Sequence, residues 1–596
     1  MKKRNFLFGA LAALAMMGCS DNDLNQENGP QIAEKDGQVY MKVSIANPQS
    51  TGTRALDEGF ENGTDGTENE NKIEKIIFAF YNDNGNYVGT STMTYSANPQ
   101  GDNEFGDATA GTGTGVEKIL TMVVPVDVNA GNAMPTRVVA YVNPVKTDHN
   151  AADNLETFGK LTRDATQYKD GAGNFVMNNS VYYAGSTMAN GKPIVTVDIS
   201  EALKPTKTEA NAKENDAIEI HVERICAKVQ VTKNASNLEM NEGTELDDAI
   251  ANTDMKIEFH PTGWALNATA TSTYLVKQFR SSPDSPSATY NEVNGKFSEN
   301  KGGWNAHGNF RSYWCTSYGY GFTDYPKYAS EANADDCPVH YITYNDVNNA
   351  NKVWGAHDYC LEHTVQSVGV SPAAYTSVIV AGYYTLDGAA QTFYTFGEAE
   401  GSGLPYIYKE NETDLPKLIE AMAASTMDIY KKVGDNYEKL TGNELSNVFE
   451  VTRPDDLNDK PSRYVYLQLK SDLAVGTCFY EKEGEKVDVT TAEAEVNASL
   501  LTGTPATKFV DGAAYYNIPI EHYGKNASNQ VIYATYGVVR NHLYKIEVQG
   551  ISGLGTGVGD KGDVIVPPTE EEKYYVKTQL KVLAWKVASQ GVILGE

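Results

Sequence analysis

Two Cys-x-x-His pairs, Cys337-Pro-Val-His340 and Cys360-Leu-Glu-His363, come closest in this chain to a metal-binding or redox centre. Four such ligands could hold a tetrahedral zinc ion. Structural zinc sites more often combine Cys-x-x-Cys with His-x-x-x-His, and in an exported chain Cys315, Cys337 and Cys360 could instead share a disulfide. A third reading gives these residues no function. Cys226 lies in an alternating apolar run and reads as a small buried residue. The sequence holds no His-Glu-x-x-His, no Gly-x-Ser-x-Gly and no phosphate-binding glycine loop closed by Lys-Ser/Thr. Gly553-Leu-Gly-Thr-Gly-Val-Gly559 lacks dinucleotide-loop spacing and reads as a flexible connector. Among 78 carboxylates some pair will always imitate a glycosidase dyad. No catalytic residue, metal or cofactor is assigned, and the chain is not read as an enzyme.

Two single residues suit chemistry done to the chain. Lys2, Lys3 and Arg4 precede the apolar stretch Phe6–Met17, which is too short for a permanent span, and Ala-Met-Met-Gly-Cys19 resembles a bacterial lipobox. Residues 1–19 therefore read as a lipoprotein signal peptide with Cys19 as the lipidated (palmitate-bearing) residue. Asp21 and Asp23 resemble the acidic surface-export tags of some anaerobes. Downstream, Asn47-Pro-Gln-Ser-Thr-Gly-Thr-Arg-Ala55 is a flexible stretch with one basic residue, Arg54.

The elements that must position these residues are mostly strands. Val39, Met41, Val43 and Ile45 alternate with Tyr40, Lys42 and Ser44, the period of a half-buried strand. Lys75–Tyr81, Asn82-Asp-Asn-Gly-Asn86 and Tyr87-Val88-Gly89 predict a hairpin; as a calcium loop the turn lacks the spaced carboxylates and closing Glu. Further strands are predicted at 119–126, 137–142, 194–199, 217–232, 464–469, 514–520, 531–536 and 543–548. A linker is predicted at 203–215. Asp414–Thr426 predicts a helix with Asp414 as N-cap, and 490–501 a second. Tyr outnumbers Phe by 37 to 18, which suits polar-faced sheets. The aromatic, Asn-rich stretch from Trp304 to Trp354 could stack sugars or fill a core.

The C-terminal stretch from Tyr574 is long, apolar and alternating. Val576, Leu580, Val582 and Ala584 face one way, and Leu583, Trp585 and Val587 the other. Left exposed, such a strand would template aggregation. Either it closes its own sheet or it inserts into another molecule.

Taken in order, several segments resemble the fimbrillins of type V pili, and within them shaft subunits of the minor-fimbrium type. These are the lipobox, Thr-Arg54-Ala55-Leu-Asp-Glu, Glu68–Phe80, His221-Val-Glu-Arg-Ile-Cys-Ala-Lys-Val229, Val538-Val-Arg-Asn-His-Leu-Tyr-Lys-Ile546, Ile551-Ser-Gly-Leu-Gly555 and Val582–Gln590. The resemblance covers nearly the whole chain; Cys226 departs from it, standing where another small apolar residue is usual. It implies a mainly β fold of two β-sandwich (transthyretin-like) domains with a few short helices. The implied division is a propeptide at 20–54, an N-terminal domain at 55–212 and a C-terminal domain at 213–596 that includes a donor strand at 574–596.

It also implies an outer-membrane lipoprotein precursor, cut between Arg54 and Ala55 by a trypsin-like, Arg-specific protease. The strand carrying Val39, Met41, Val43 and Ile45 is then displaced. The next subunit's donor strand, with Val576, Leu580, Val582, Leu583, Ala584, Trp585 and Val587, fills the groove. Identical subunits joined head to tail would build a surface fimbrium for adhesion and biofilm formation, with tip and anchor fimbrillins and host or bacterial surface ligands as partners. A tip adhesin or glycan-binding lipoprotein is the alternative. The formal charge of −29, from 49 bases against 78 acids, argues against a nucleic-acid partner.

Overall fold

The structure, a computed structural model, describes residues 38–48, 67–107, 109–110, 116–127, 134–145, 154–179, 182–184, 192–194, 196–212, 217–234, 242–278, 315–332, 336–366, 368–454, 457–522, 530–531, 535–567 and 586–594. The chain is mainly β with a few short helices. Its first part builds one ten-stranded sheet from β1 (Gln38–Pro48), β2 (Lys75–Tyr81), β3 (Tyr87–Tyr95), β4 (Val116–Asp127), β5 (Arg137–Val142), β6 (Met177–Asn179), β7 (Ile218–Arg224) and short pieces. The order across it is Glu104–Phe105, β3, β2, β5, β6, β7, β1, β4, Thr109–Ala110, with Val197–Asp198 on β5. Its wings fold toward each other: a Cβ added to Gly89 in β3 would lie 3.7 Å from the Asp127 carbonyl in β4. Between them Ile76, Phe78 and Phe80 of β2 meet Met41, Val43 and Val124 from the other wing in one buried core. The predicted hairpin is present, and its turn is held by the Asn82 side chain, which accepts from the backbone N–H of Asn84 and Asn86, each at 3.0 Å.

The run 217–232 is two strands. β7 stays in the first sheet, paired with β1 and β6, and the chain changes sheet at Ile225. β8 (Cys226–Lys233) starts the second sandwich, so the first sheet runs past the expected division at 212/213. Alternation cannot reveal this, because both strands carry it and only their partners differ. The second sandwich adds β9 (Ile257–Asn267), β10 (His357–Leu361), β11 (Ser377–Leu386), β12 (Ala513–Pro519), β13 (His542–Ile551), β14 (Thr556–Gly557) and β15 (Lys586–Leu594). One sheet reads β10-β8-β13-β15; the other reads Thr244–Glu245, β9, β11, β12, β14. Val229, Val231, Tyr544 and Ile546 of the first pack on Trp264, Val380, Tyr516 and Ile518 of the second.

β11 and β12 are antiparallel neighbours, Ser377 opposite Pro519 and Tyr383 opposite Ala513, yet residues 387–512 intervene. That excursion forms a module with its own core, which includes Leu418, Met422, Phe449, Leu467 and Val496. It carries five- and four-stranded sheets, a helix at Leu415–Ala424 and another at Glu493–Leu500. Asp414 occupies the N-cap of the first helix without a side-chain cap bond. Residues 531–536, read as a strand, contribute among the described residues only an isolated bridge of Tyr536 to Glu521. The linker reading of 203–215 also gives way: Lys204 and Tyr40 exchange backbone hydrogen bonds of 2.7 and 2.8 Å, and Lys207–Ala210 is helical.

The glycine-rich stretch 553–559 is no flexible connector. It is packed, and its glycines permit contacts that a side chain would block. A Cβ at Gly555 would fall 2.6 Å from the Tyr515 carbonyl oxygen, at Gly557 2.7 Å from that of Lys508, and at Gly559 2.3 Å from that of Ser462. Beyond it, the Ile565 N–H donates to the Ile342 carbonyl at 2.7 Å and its own carbonyl accepts from Asn267 Nδ2 at 2.9 Å.

Candidate functional site

β1 is paired on both edges. It runs antiparallel to β4, from Gln38 opposite Asp127 to Pro48 opposite Val116, and parallel to β7, from Val43 opposite Ile218 to Ala46 opposite His221. Strict alternation points Val39, Met41, Val43 and Ile45 into the core, each at most 1% exposed, while Gln38, Tyr40, Lys42 and Ser44 are half-buried. The Ser44 and Thr121 hydroxyls meet at 2.8 Å, and Gln38 Nε2 donates to Asp127 Oδ1 at 2.6 Å. Removing β1 would strip both neighbours of a hydrogen-bonding partner. It would also empty four apolar positions, whose burial is worth about 6–12 kcal/mol at ~1.5–3 each. A strand held so firmly leaves only if something equivalent takes its place.

The chain after residues 49–66 is fastened at once. The short helix α1 (Glu68–Asn71) starts with a capping box between Thr67 and Glu70. Glu70, 1% exposed, receives Lys228 Nζ at 2.7 Å and the Tyr359 hydroxyl. Burial pulls its pKa upward, but the Lys228 and Tyr359 hydrogen bonds and the Lys228 charge outweigh it, and the value falls to about 2. Arg224, at the end of β7, donates from Nε to the Glu70 carbonyl at 2.9 Å, from one terminal nitrogen to Asn541 Oδ1 at 2.9 Å and from the other to Asn71 Oδ1. A second buried arginine, Arg540, holds Glu362 at 2.8 Å and the Leu275 and Tyr274 carbonyls at 2.9 and 2.7 Å. Burial works against ionisation of Glu362, yet the Arg540 and Lys277 charges hold its pKa below the ordinary carboxylate range. These residues join the two sandwiches. The sequence reading missed them, although charged and polar residues embedded in apolar runs, Glu223-Arg224 and Arg540-Asn541, were the available signal.

Among the described residues β15 lies parallel to β13 at the edge of its sheet, from His542 opposite Lys586 to Ile551 opposite Leu594. Val587 belongs to it. Val576, Leu580, Val582, Leu583, Ala584 and Trp585 lie outside the described residues, as do Cys19, Arg54 and Ala55.

The Cys-x-x-His residues do not converge. Cys337 packs with Tyr341 in one cluster, Cys360 belongs to the sandwich core, His340 is exposed, and His363 is buried against Thr376 at 2.9 Å. Burial pushes the His363 imidazole down to about 4 and the Cys360 thiol well above its ordinary range. Among the described residues no group of three or more His, Cys, Asp or Glu is placed to hold a metal, and Cys226, Cys315, Cys337, Cys360 and Cys478 are free and buried. Trp354 packs half-buried on the sandwich core, while Trp304 lies outside the described residues.

Residues 507–591 match the family described as "Major fimbrial subunit protein type IV, Fimbrillin, C-terminal". That segment spans β12, β13, the packed glycine stretch and most of β15. No curated protein matches the chain. Among solved structures, a fimbrilin (FimA) of Porphyromonas gingivalis W83 is 13% identical, with a TM-score of 0.33, over 93% of this chain and 97% of that one. A putative cell adhesion protein of Parabacteroides distasonis is 9% identical, with a TM-score of 0.31, over 94% and 100%. The tip fimbrial protein Mfa3 of P. gingivalis, truncated at its C-terminus, is 12% identical, with a TM-score of 0.24, over 70% and 96%. The similarity to major fimbrial subunits is thus carried by residues 507–591.

Proposed function

We propose that this chain is a fimbrillin, a shaft-type subunit that polymerises by protease-activated strand exchange. The observation that carries the reading is β1. It completes a sheet between β4 and β7, buries four apolar side chains, and is joined to the rest of its domain through the stretch that holds Arg54. Cleavage after Arg54 would leave β1 held by non-covalent contacts alone, while the Glu70–Arg224 cluster anchors the chain beyond the cut.

The incoming strand would be the donor segment 574–596 of another copy, whose alternation matches that of β1. Main-chain bonds would supply affinity and the alternate side chains register. Such insertion is heterologous and does not close, so it builds a filament. The precursor would reach the outer membrane lipidated on Cys19, an Arg-specific protease would release it, and tip and anchor fimbrillins would end the fibre. Adhesion and biofilm formation would follow from the fibre at the cell surface.

Arg54→Ala tests the activation step. The variant should accumulate as an uncleaved, membrane-held monomer, and ladder-forming polymers from it would sink the proposal.

The module at 387–512 favours a second reading, an accessory adhesin. A cleft of about 670 Å³ lies where it meets the sandwich, lined by Tyr394, Glu410, Arg453, Lys460, Lys508 and Asp563. Polar and aromatic walls suit a glycan. Binding on a glycan array by a protein that forms no polymers after cleavage would favour this reading over the shaft.

A further inference from the structure

Three reactive side chains are sealed together where the first sheet meets the second half of the chain. Asn178 on β6 and Glu223 on β7 are directly opposed in an antiparallel pair, so both rise from the same face. Lys277, just beyond the strand Ser272–Tyr274, brings Nζ to 3.0 Å from Glu223 Oε2. Asn178 and Glu223 are 1% exposed and Lys277 2%. Around them Tyr141, Val176, Ile225, Leu275 and Val276 form an apolar cluster.

As a plain ion pair this arrangement is poorly satisfied. Among the described residues neither Oδ1 nor Nδ2 of Asn178 has a hydrogen-bond partner, and Lys277 Nζ, though close to the carboxylate, makes no aligned hydrogen bond. Buried amides and ammonium groups are normally satisfied, because desolvation without partners is costly. Here an amine and a carboxamide, both buried and both lacking hydrogen bonds, flank one carboxylate.

We propose that Lys277 and Asn178 join in an intramolecular isopeptide bond, with Glu223 shuttling the protons. Glu223 takes a proton from the Lys277 ammonium. The neutral amine attacks Asn178 Cγ, and the carbonyl electron pair moves onto Oδ1. Through Glu223 the attacking nitrogen loses a further proton and the departing Nδ2 gains one. The electron pair returns, the Cγ–Nδ2 bond breaks and ammonia leaves. One C–N bond forms and one breaks, nothing is oxidised, no co-reactant is needed, and Glu223 ends protonated. A buried positive and a buried negative charge vanish together, leaving the neighbouring Arg540–Glu362 pair matched. Enclosure aligns the partners and excludes competing water. The bond would staple β6 to the start of the second half, one strand from β7 and two from β1.

Mass spectrometry of the full chain tests this, whether or not strand exchange operates. The wild type should weigh one ammonia less than its sequence, and tryptic digestion after denaturation should yield a branched peptide joining Asn178 to an uncleaved Lys277. Glu223→Gln and Asn178→Ala should restore the full mass and cleavage at Lys277. A wild type of full mass with Lys277 cleaved overturns the proposal, leaving a buried ion pair; so does ammonia loss mapped to another site. If either variant fails to fold, the wild-type peptide map still decides.

Discussion

At Glu70 one carboxylate ties the chain just beyond residues 49–66 to β8 and β10 through Lys228 and Tyr359. Its pKa falls from 4.5 to about 2, so the stabilisation is fully present above 4.5 and is lost as pH falls through about 2. That shift corresponds to about 3–4 kcal/mol at ~1.4 per unit. Glu70→Gln should therefore cost about 3–4 kcal/mol at neutral pH, and its gap to the wild type should close as the pH drops from 4.5 to 2. Urea unfolding at several pH values checks this, and a gap independent of pH would assign the cost to packing instead. The sequence marks Glu70 only as one acid in the run Glu68-Asn-Glu-Asn, where a solvated helix start is the ordinary reading. Its partners arrive from residues more than 150 positions away, and nothing local announces them.

Among the elements, the strands with strong local patterns were legible. β2, β5 and the strand at Tyr464–Leu469 fall where β-branched and aromatic residues cluster. The glycine stretch was misread because glycine serves two purposes, conformational freedom and close approach, and composition cannot separate them. Gly559→Ala should separate them. Its Cβ would collide with the backbone of Ser462 and Arg463, a loss of about 1–3 kcal/mol in unfolding free energy. Gly171→Ala, at a position with nothing within 4 Å, should stay within about 0.5 kcal/mol. Equal stability of the two variants in thermal melts would restore the flexible reading. The packing continues past this stretch to the hydrogen bonds holding Ile565.

On the scale of the whole molecule, the first and last described strands occupy different sheets. β1 is enclosed in the first, and among the described residues β15 lies on the edge of the second. An edge strand has one neighbour and an enclosed strand has two, so β15 is the easier to release. Deleting residues 574–596 should leave a folded monomer by circular dichroism that forms no ladders with cleaved partners. Ladders from the truncated protein would exclude the tail as donor. The acidity would suit a solvated fibre: on the proposed processing, removal of residues 1–19 would take the formal charge from −29 to −32, and removal of residues 20–54 would return it to −30.

The sequence by itself determined the β-rich class, the alternation of β1 and the family resemblance, because side-chain period and motif order are written locally. Only the tertiary structure decided that β7 and β8 part company at Ile225, and that residues 387–512 interrupt a strand pair. It alone brought Asn178, Glu223 and Lys277 into one sealed pocket. Those outcomes depend on which strands pair and which faces close. Pairing is a contest among many similar edges, settled by the packing of the whole chain and not by any one segment.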